Sequence, residues 1–579
     1  MRRVRPATSL IGAALLIAGA LAGTGGPAEA GILVPGELDL FFAKHSGDQN
    51  LFCDGVGAGG YSCSDLSTDA DSTLGVALGD VDGDLRVDAV FSNLDAENRV
   101  CLDDGMGGFE CSDVSDDTNS TFAAALGDLD HDGDLDAVFA NATQSDRVCL
   151  GDGMGAFTCS NVSADTRFGT GVGLGDVNND RDLDAVFANF GEPDQVCLGD
   201  GNGGFSCSNV SEDNRLSEGV ALGDVDGDRN LDAVFAGYDG ETDRVCVGDG
   251  AGGFSCSDVS SDTIDSLDVA LGDLDGDGDL DAVFGTVNGE EQRKCLNDGL
   301  GSFTCSNLSV ETYATYGMAI GDIDGDGDLD VILANAITQS TVCANNGSAS
   351  FTCPPLPTGT DWATAVAIAQ PMCEGQMPTI PATNGPDTIN GTHGPDVISA
   401  WGGGDAVYGH GGPDLICLDD GDDIAFGGSG DDLVFGGAGA DEISGGKGAD
   451  TVYGGSGADV IEGGAGADTL YGQGAADTIR GGGKADVIFG GGGSDVLEGG
   501  GGRDTIEGLR KGDTIEGGKG NDTLYGGGGD DLIRGNADDD ALFGGKGDDT
   551  LLGGRDDDTA NGNAGFDTCT AETEVNCEA

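Results

Sequence analysis

The sequence predicts an all-β chain of two successive repeat arrays, the first a seven-bladed β-propeller, on three observations. Cysteines fall at 53/63, 101/111, 149/159, 197/207, 246/256, 295/305 and 343/353, with constant internal spacing and a period of 48 or 49 residues. Short runs of β-formers alternate with Gly- and Asp-rich turns, the pattern of strands and hairpins. From Asp387 to Asp567 every ninth residue is Asp, 21 in all, and internal repetition of this kind governs a fold.

Composition bounds what such a chain binds. The 579 residues carry 105 Asp plus Glu against 24 Lys plus Arg, a net charge of −81, so the partner is cationic and nucleic acid is excluded. A disordered polyanion is the first alternative. Apolar residues make up 38% of the chain and recur at fixed intervals, which favours folded repeats around a multivalent cation. Arg2, Arg3 and Arg5, an apolar stretch from Leu10 to Ala22, and Ala28-Glu29-Ala30 follow the layout of a secretory signal peptide over residues 1–30, cleaved after Ala30. The stretch is short for a membrane span, and an uncleaved anchor is the alternative. The expectation is a secreted, extracellular chain with no membrane span once mature. Export also suits the 18 cysteines, since an oxidising compartment lets them pair.

Residues 31–372 form the expected propeller. Each cysteine pair brackets a segment such as Val100-Cys101-Leu102-Asp103-Asp104-Gly105-Met106-Gly107-Gly108-Phe109-Glu110-Cys111, which reads as a hairpin. Residues equidistant from its turn face each other across antiparallel strands, close enough for a disulfide. The rival, metal-binding thiolates, wants CxxC-type spacing. Two more strands precede each hairpin, as in Val76-Ala77-Leu78-Gly79 and Asp88-Ala89-Val90-Phe91-Ser92-Asn93, giving four per unit. The first unit begins at Leu38-Asp39-Leu40-Phe41-Phe42-Ala43 without a partner, and an orphan strand, Ala363-Thr364-Ala365-Val366-Ala367-Ile368-Ala369, stands at the far end. Pairing the two completes the seventh blade and leaves no open edge.

Between the first two strands of six units lies a carboxylate loop. It reads Asp80/Asp82/Asp84/Asp88, then Asp128/Asp130/Asp132/Asp136, Asp176/Asn178/Asp180/Asp184, Asp224/Asp226/Asp228/Asp232, Asp273/Asp275/Asp277/Asp281 and Asp322/Asp324/Asp326/Asp330. Oxygens at positions 1, 3, 5 and 9 let a tight loop wrap Ca2+, which takes six to eight of them. Position 12 holds Phe91 or Phe139 rather than Glu, so this is no EF-hand. The alternative, aspartates capping exposed turns, explains one loop better than six alike. The pattern resembles the FG-GAP/VCBS repeats of integrin-like propellers over roughly residues 36 to 370, although that family's Gly-Ala-Pro segment is absent. Position 6 is Gly in Gly133, Gly278 and Gly327 but Leu85, Arg181 and Arg229 elsewhere, and the Gly loops are expected to bind first.

After a junction at 373–386, composition shifts to Gly and Asp over 387–568. Two residues after nearly every Asp of the array stands an apolar side chain, such as Ile389, Ile398, Val407, Ile443, Leu470, Ile515 and Leu551. Units such as Gly436-Gly437-Ala438-Gly439-Ala440-Asp441-Glu442-Ile443-Ser444 resemble the RTX (hemolysin-type) calcium-binding repeat. That resemblance implies a parallel β-roll (RTX β-helix), two units per coil, with Ca2+ between Asp carboxylates and loop carbonyls. The ligands it implies are Asp396, Asp405, Asp414, Asp423, Asp432, Asp441, Asp450, Asp459, Asp468, Asp495, Asp522, Asp531 and Asp549. Units with Lys484, Lys511, Asp538 or Asp556 in place of Gly are expected to lack a full site. Both arrays together would hold on the order of 20 calcium ions. Cys569 with Cys577, in a C-terminal cap at 569–579, and Cys373 with Cys417 are paired by exclusion.

No catalytic constellation is legible, and the chain is expected not to be an enzyme. His45, His131, His393 and His410 stand in unrelated contexts, none in an HExxH or nucleophile-elbow setting. The leading expectation is a secreted calcium-binding structural or adhesion protein whose Asp loops drive folding outside the cell, with an extracellular glycan, matrix or cell-surface partner. A lectin-like propeller on an RTX stalk and a polysaccharide-acting enzyme are the alternatives. The extended negative surface points to a monomer.

Overall fold

Alternating apolar residues and frequent turns make strands of all the elements among the described residues. The structure, a computed structural model, describes residues 38–577 except 46–47, 56–60, 67–70, 310–311, 337, 357–359, 361, 371, 374–375, 377 and 381. The segment expected to be a signal peptide lies outside the described residues. Among the described residues no helix is long and apolar enough to cross a membrane.

Blade 1 shows how each sheet is made. Thr73–Gly79, Asp88–Asn93, Arg99–Asp103 and Phe109–Asp113 run antiparallel in that order. The second strand is buried along its whole length, because it lies between neighbouring sheets, and this explains its run Asp-Ala-Val-Phe without polar alternation. Blades 2 to 5 repeat the plan with second strands Asp136–Asn141, Asp184–Glu192, Asp232–Gly237 and Asp281–Thr286. Blade 6 keeps three strands, Thr315–Gly321, Asp330–Asn335 and Thr341–Cys343, and its fourth is reduced to isolated bridges at Thr352 and Pro355. Pro354 and Pro355 lack the N–H a ladder needs there.

The ring closes as the two orphan strands predict. Ala363–Ala369 pairs antiparallel with Asp39–Lys44, Phe42 opposite Val366, ahead of Leu51–Gly55 and Tyr61–Asp65. Each innermost strand neighbours the next, and Ala363–Ala369 touches both Thr73–Gly79 and Thr315–Gly321, so the seven sheets make the circle of a propeller. All seven hairpins carry the expected disulfide, with Cα atoms 3.8–4.0 Å apart. One join was not foreseen. Lengthened strands Asp184–Glu192 and Arg215–Gly223 pair through Phe190 and Leu216, fusing blades 3 and 4 at one edge.

The second array winds into a β-solenoid of two parallel sheets with 11 strands each. Register advances by 18 residues per coil, as in Ile443↔Ile461↔Ile479, so two nonapeptides make one coil. The apolar residue of each unit points inward, and Val407, Ile461, Leu470, Ile515 and Leu551 are fully buried. This column is continuous with apolar residues of the propeller, among them Leu40, Phe42, Ile323 and Ile332. Disulfide Cys373–Cys417 pins the first coils, and Cys569–Cys577 closes the end.

Candidate metal centres

The blade loops fold around their own carboxylates. In the first, Asp80 Oδ1 accepts the N–H of Gly83 and Asp84, and Oδ2 accepts that of Leu85. Asp88 ties the loop to the sheet: Oδ2 accepts from Val81 N and Oδ1 from Asp103 N, in the hairpin. Asp136, Asp184, Asp232, Asp281 and Asp330 do the same in their blades. Position 6 is left-handed in all six loops, at φ 64° to 92°, including Leu85, Arg181 and Arg229. The Gly expected there is therefore a backbone requirement that three side chains meet under strain.

Carboxylates at positions 1, 3 and 9 converge. In Asp80/Asp82/Asp88, Asp128/Asp130/Asp136, Asp224/Asp226/Asp232, Asp273/Asp275/Asp281 and Asp322/Asp324/Asp330, one oxygen from each lies within 4.8 Å of the others. In the loop of blade 3, Asn178 stands at position 3 and its amide donates to Asp180. Position 5 (Asp84, Asp132, Asp180, Asp228, Asp277 and Asp326) is outside the triads and accepts the N–H two residues on. Buried oxygens of Asp82, Asp128, Asp130 and Asp275 have no donor. Burial pushes Asp88, Asp184, Asp232, Asp281 and Asp330 up to about 7 and Asp136 to about 6, with neighbouring carboxylates adding to the rise. Such crowding of buried anions costs free energy unless protons or a cation neutralise them.

In the solenoid the aspartates form two ladders. Each backbone N–H from Asp405 to Asp531 donates to Oδ1 of the Asp 18 residues on, for example Asp432 to Asp450 at 3.0 Å. The other oxygen, Oδ2, is buried without a donor in all 18 residues from Asp405 to Asp558. It faces a cradle of backbone: a Cβ added at Gly463 would stand 2.6 Å from Asp468 Oδ2 and 2.8 Å from the carbonyl oxygen of Gly481. Donor-less carboxylate oxygens beside backbone carbonyl oxygens are the ligand set of a hard cation, so these residues fit Ca2+.

This geometry sorts the expected ligands. Asp405, Asp414, Asp423, Asp432, Asp441, Asp450, Asp459, Asp468, Asp495, Asp522, Asp531 and Asp549 all carry the donor-less oxygen. Asp396 does not, since its Oδ2 accepts from the N–H and hydroxyl of Thr392, as that of Asp387 does from Thr383. Asp477, Asp486, Asp504, Asp513, Asp540 and Asp558, outside the expected set, share the same geometry. Their unbroken nine-residue spacing was the signal. Lys484, Lys511, Asp538 and Asp556 take the left-handed conformation, φ 71° to 86°, without breaking the coil. The four histidines remain apart: His45 meets Ser72, His131 meets Asp182, His393 meets Arg229, and His410 stacks on Tyr408.

Comparison with known proteins agrees on the second array. The model of the RTX calcium-binding nonapeptide repeat matches residues 381–416, 419–452, 444–479, 471–506, 507–542 and 534–569. Residues 381–569 are thus RTX calcium-binding repeats. No curated protein matches the chain. Among solved structures, it is similar to a lectin of Agrocybe aegerita described as recognising non-reducing terminal N-acetylglucosamine, with TM-score 0.43 and 19% identity over 58% of this chain and 96% of that one. It is also similar to a BBS1N–ARL6DN complex, with TM-score 0.34 and 11% identity over 51% of this chain and 81% of that one.

Proposed function

We propose that the chain is an exported, non-catalytic structural or adhesion protein that folds when Ca2+ fills both arrays outside the cell. One observation carries this reading: 18 buried carboxylate oxygens along the roll have no donor. Calcium bound there would supply the positive charge the ladders lack. The chain's own residues do the rest. Each Asp Oδ1 fixes the coil spacing by accepting the backbone N–H of the Asp 18 residues before it, and Gly at the cradle leaves room for the ion beside Oδ2. In the propeller, position 9 holds loop and hairpin together while positions 1 and 3 supply oxygens, an FG-GAP/VCBS-like use of the loop. The disulfides and the signal-peptide layout support export.

Because calcium binds only the folded form, its binding free energy adds to stability by mass action. The expected outcome is strong β circular dichroism at millimolar calcium and loss of most of the solenoid's share in chelator. Equal β content in both conditions would overturn the reading.

A further inference from the structure

The solenoid sits on the propeller's loops. Its first two units share the sequence Thr-x-Gly-Pro-Asp, Thr383 to Asp387 and Thr392 to Asp396, and each docks on blade loops. In the second, His393 N and Nδ1 both meet the Arg229 carbonyl, at 3.1 and 2.9 Å, and Gly394 packs so tightly on Asp176 that a Cβ there would stand 2.8 Å from the Asp176 Cβ. In the first, Asn384 donates twice to Asp322 Oδ2, from its backbone N at 3.2 Å and its Nδ2 at 3.3 Å. Asp322 is position 1 of the blade 6 loop and is completely buried. A Cβ on Gly327 of that loop would stand 3.4 Å from the Gly385 Cα, so the two backbones lie one side-chain atom apart there.

We propose that the blade 6 loop is an intermodular calcium site, in which Asn384 is a positioning residue that holds Asp322 so that cation binding and docking of the roll are linked. The inference rests on reading the Asp loops as calcium sites. Asp322 Oδ1 already accepts from Gly325 and Asp326, and Oδ2 accepts from Gly327 as well as Asn384. Five donors already fill the Asp322 carboxylate, so a cation among Asp322, Asp324 and Asp330, whose oxygens lie within 4.8 Å of one another, would displace loop N–H groups while the Asn384 pair keeps the carboxylate plane fixed. Partners of this kind, behind a metal ligand, change metal affinity by about 10- to 100-fold. Linkage is reciprocal: whatever Asn384 adds to calcium affinity, calcium adds to docking.

Hydrogen exchange along a calcium titration of the full chain tests this at the level of single loops. In the wild type, peptides over 322–330 and 384–396 gain protection at the same calcium concentration. In Asn384→Ala the calcium needed to protect 322–330 rises about tenfold, while loop 80–88 is unchanged. Asn384→Ser, which keeps a side-chain donor, falls between. In Asp324→Ala the amides of Asn384 and His393 exchange even at saturating calcium. An unshifted 322–330 loop in Asn384→Ala overturns the inference with the calcium reading intact, and so does a shift shared by loop 80–88, which makes Asn384 a general folding residue. If calcium protects no blade loop in the wild type, the propeller-site reading fails and takes the inference with it.

Discussion

At Gly463 and Gly483 the same glycine-to-alanine change meets opposite surroundings. A methyl at Gly463 enters the space shared by Asp468 Oδ2 and the Gly481 carbonyl, whereas one at Gly483 has nothing within 4 Å, and neither residue needs a positive φ. Backbone preference is therefore matched, and only the cradle differs. Gly463→Ala is expected to lose about 2 kcal/mol through overpacking together with one calcium ion. Gly483→Ala should be near neutral, since alanine reduces the freedom of the unfolded chain. Calcium-loaded thermal melts and calorimetric stoichiometry on both variants check the pair, and equal losses would show that the space beside Oδ2 holds no ion. The blade loops carry a related lesson: position 6 needs φ near +60° to +90°, and Leu85, Arg181 and Arg229 adopt it at a steric cost that Gly133, Gly278 and Gly327 avoid.

Strand by strand, the solenoid repeats the same outward position every 18 residues, so like side chains stack. Phe435, Tyr453, Tyr471 and Phe489 form a ladder with ring centroids 4.6–5.0 Å apart and planes within 8°. Glu507 breaks it, and Tyr525 with Phe543 resumes it at 4.8 Å. Tyr471 has a ring on both sides and Tyr525 on one. Aromatic pairs add about 0.5–1.5 kcal/mol each beyond area burial, so Tyr471→Ala should cost roughly twice as much as Tyr525→Ala in calcium-loaded melts. Equal costs would reduce the ladder to a by-product of register. Elements of this kind were legible in the sequence because their cause is local and periodic: cysteine spacing fixed the hairpins, orphan strands at Leu38 and Ala363 fixed closure, and Asp spacing fixed the coil. The satisfied state of Asp396 was readable in principle, since Thr392 replaces the usual Gly. The fusion of blades 3 and 4 through Phe190 and Leu216, the exclusion of position 5 from the triads, and the Asn384 contact were not, because each depends on which distant residue arrives opposite.

For the whole molecule, protons and calcium compete for one set of carboxylates, with opposite consequences for the metal-free and loaded forms. Burial and mutual repulsion raise Asp441, Asp450, Asp477, Asp486, Asp531 and Asp540 of the roll to about 7, as they do Asp88, Asp184, Asp232, Asp281 and Asp330 of the propeller. The ordinary value in an unfolded chain is about 3.9. A group raised on folding takes up protons in the folded state, so its favourable contribution is full below about pH 4 and is lost as pH climbs through about 7. Calcium-stripped protein should therefore hold more β structure at pH 5 than at pH 8, acid standing in for metal. The loaded form runs the other way. Calcium must displace those protons, so the concentration at half-saturation should rise as pH falls below 7. Circular dichroism of stripped protein at the two pH values, paired with calcium titrations at pH 6 and pH 8, reads both limbs. Stripped protein equally unfolded at pH 5 and pH 8 would mean that carboxylate repulsion is not what keeps the metal-free chain open, and the shortage would lie instead in the thin apolar column and the entropy of so many glycines.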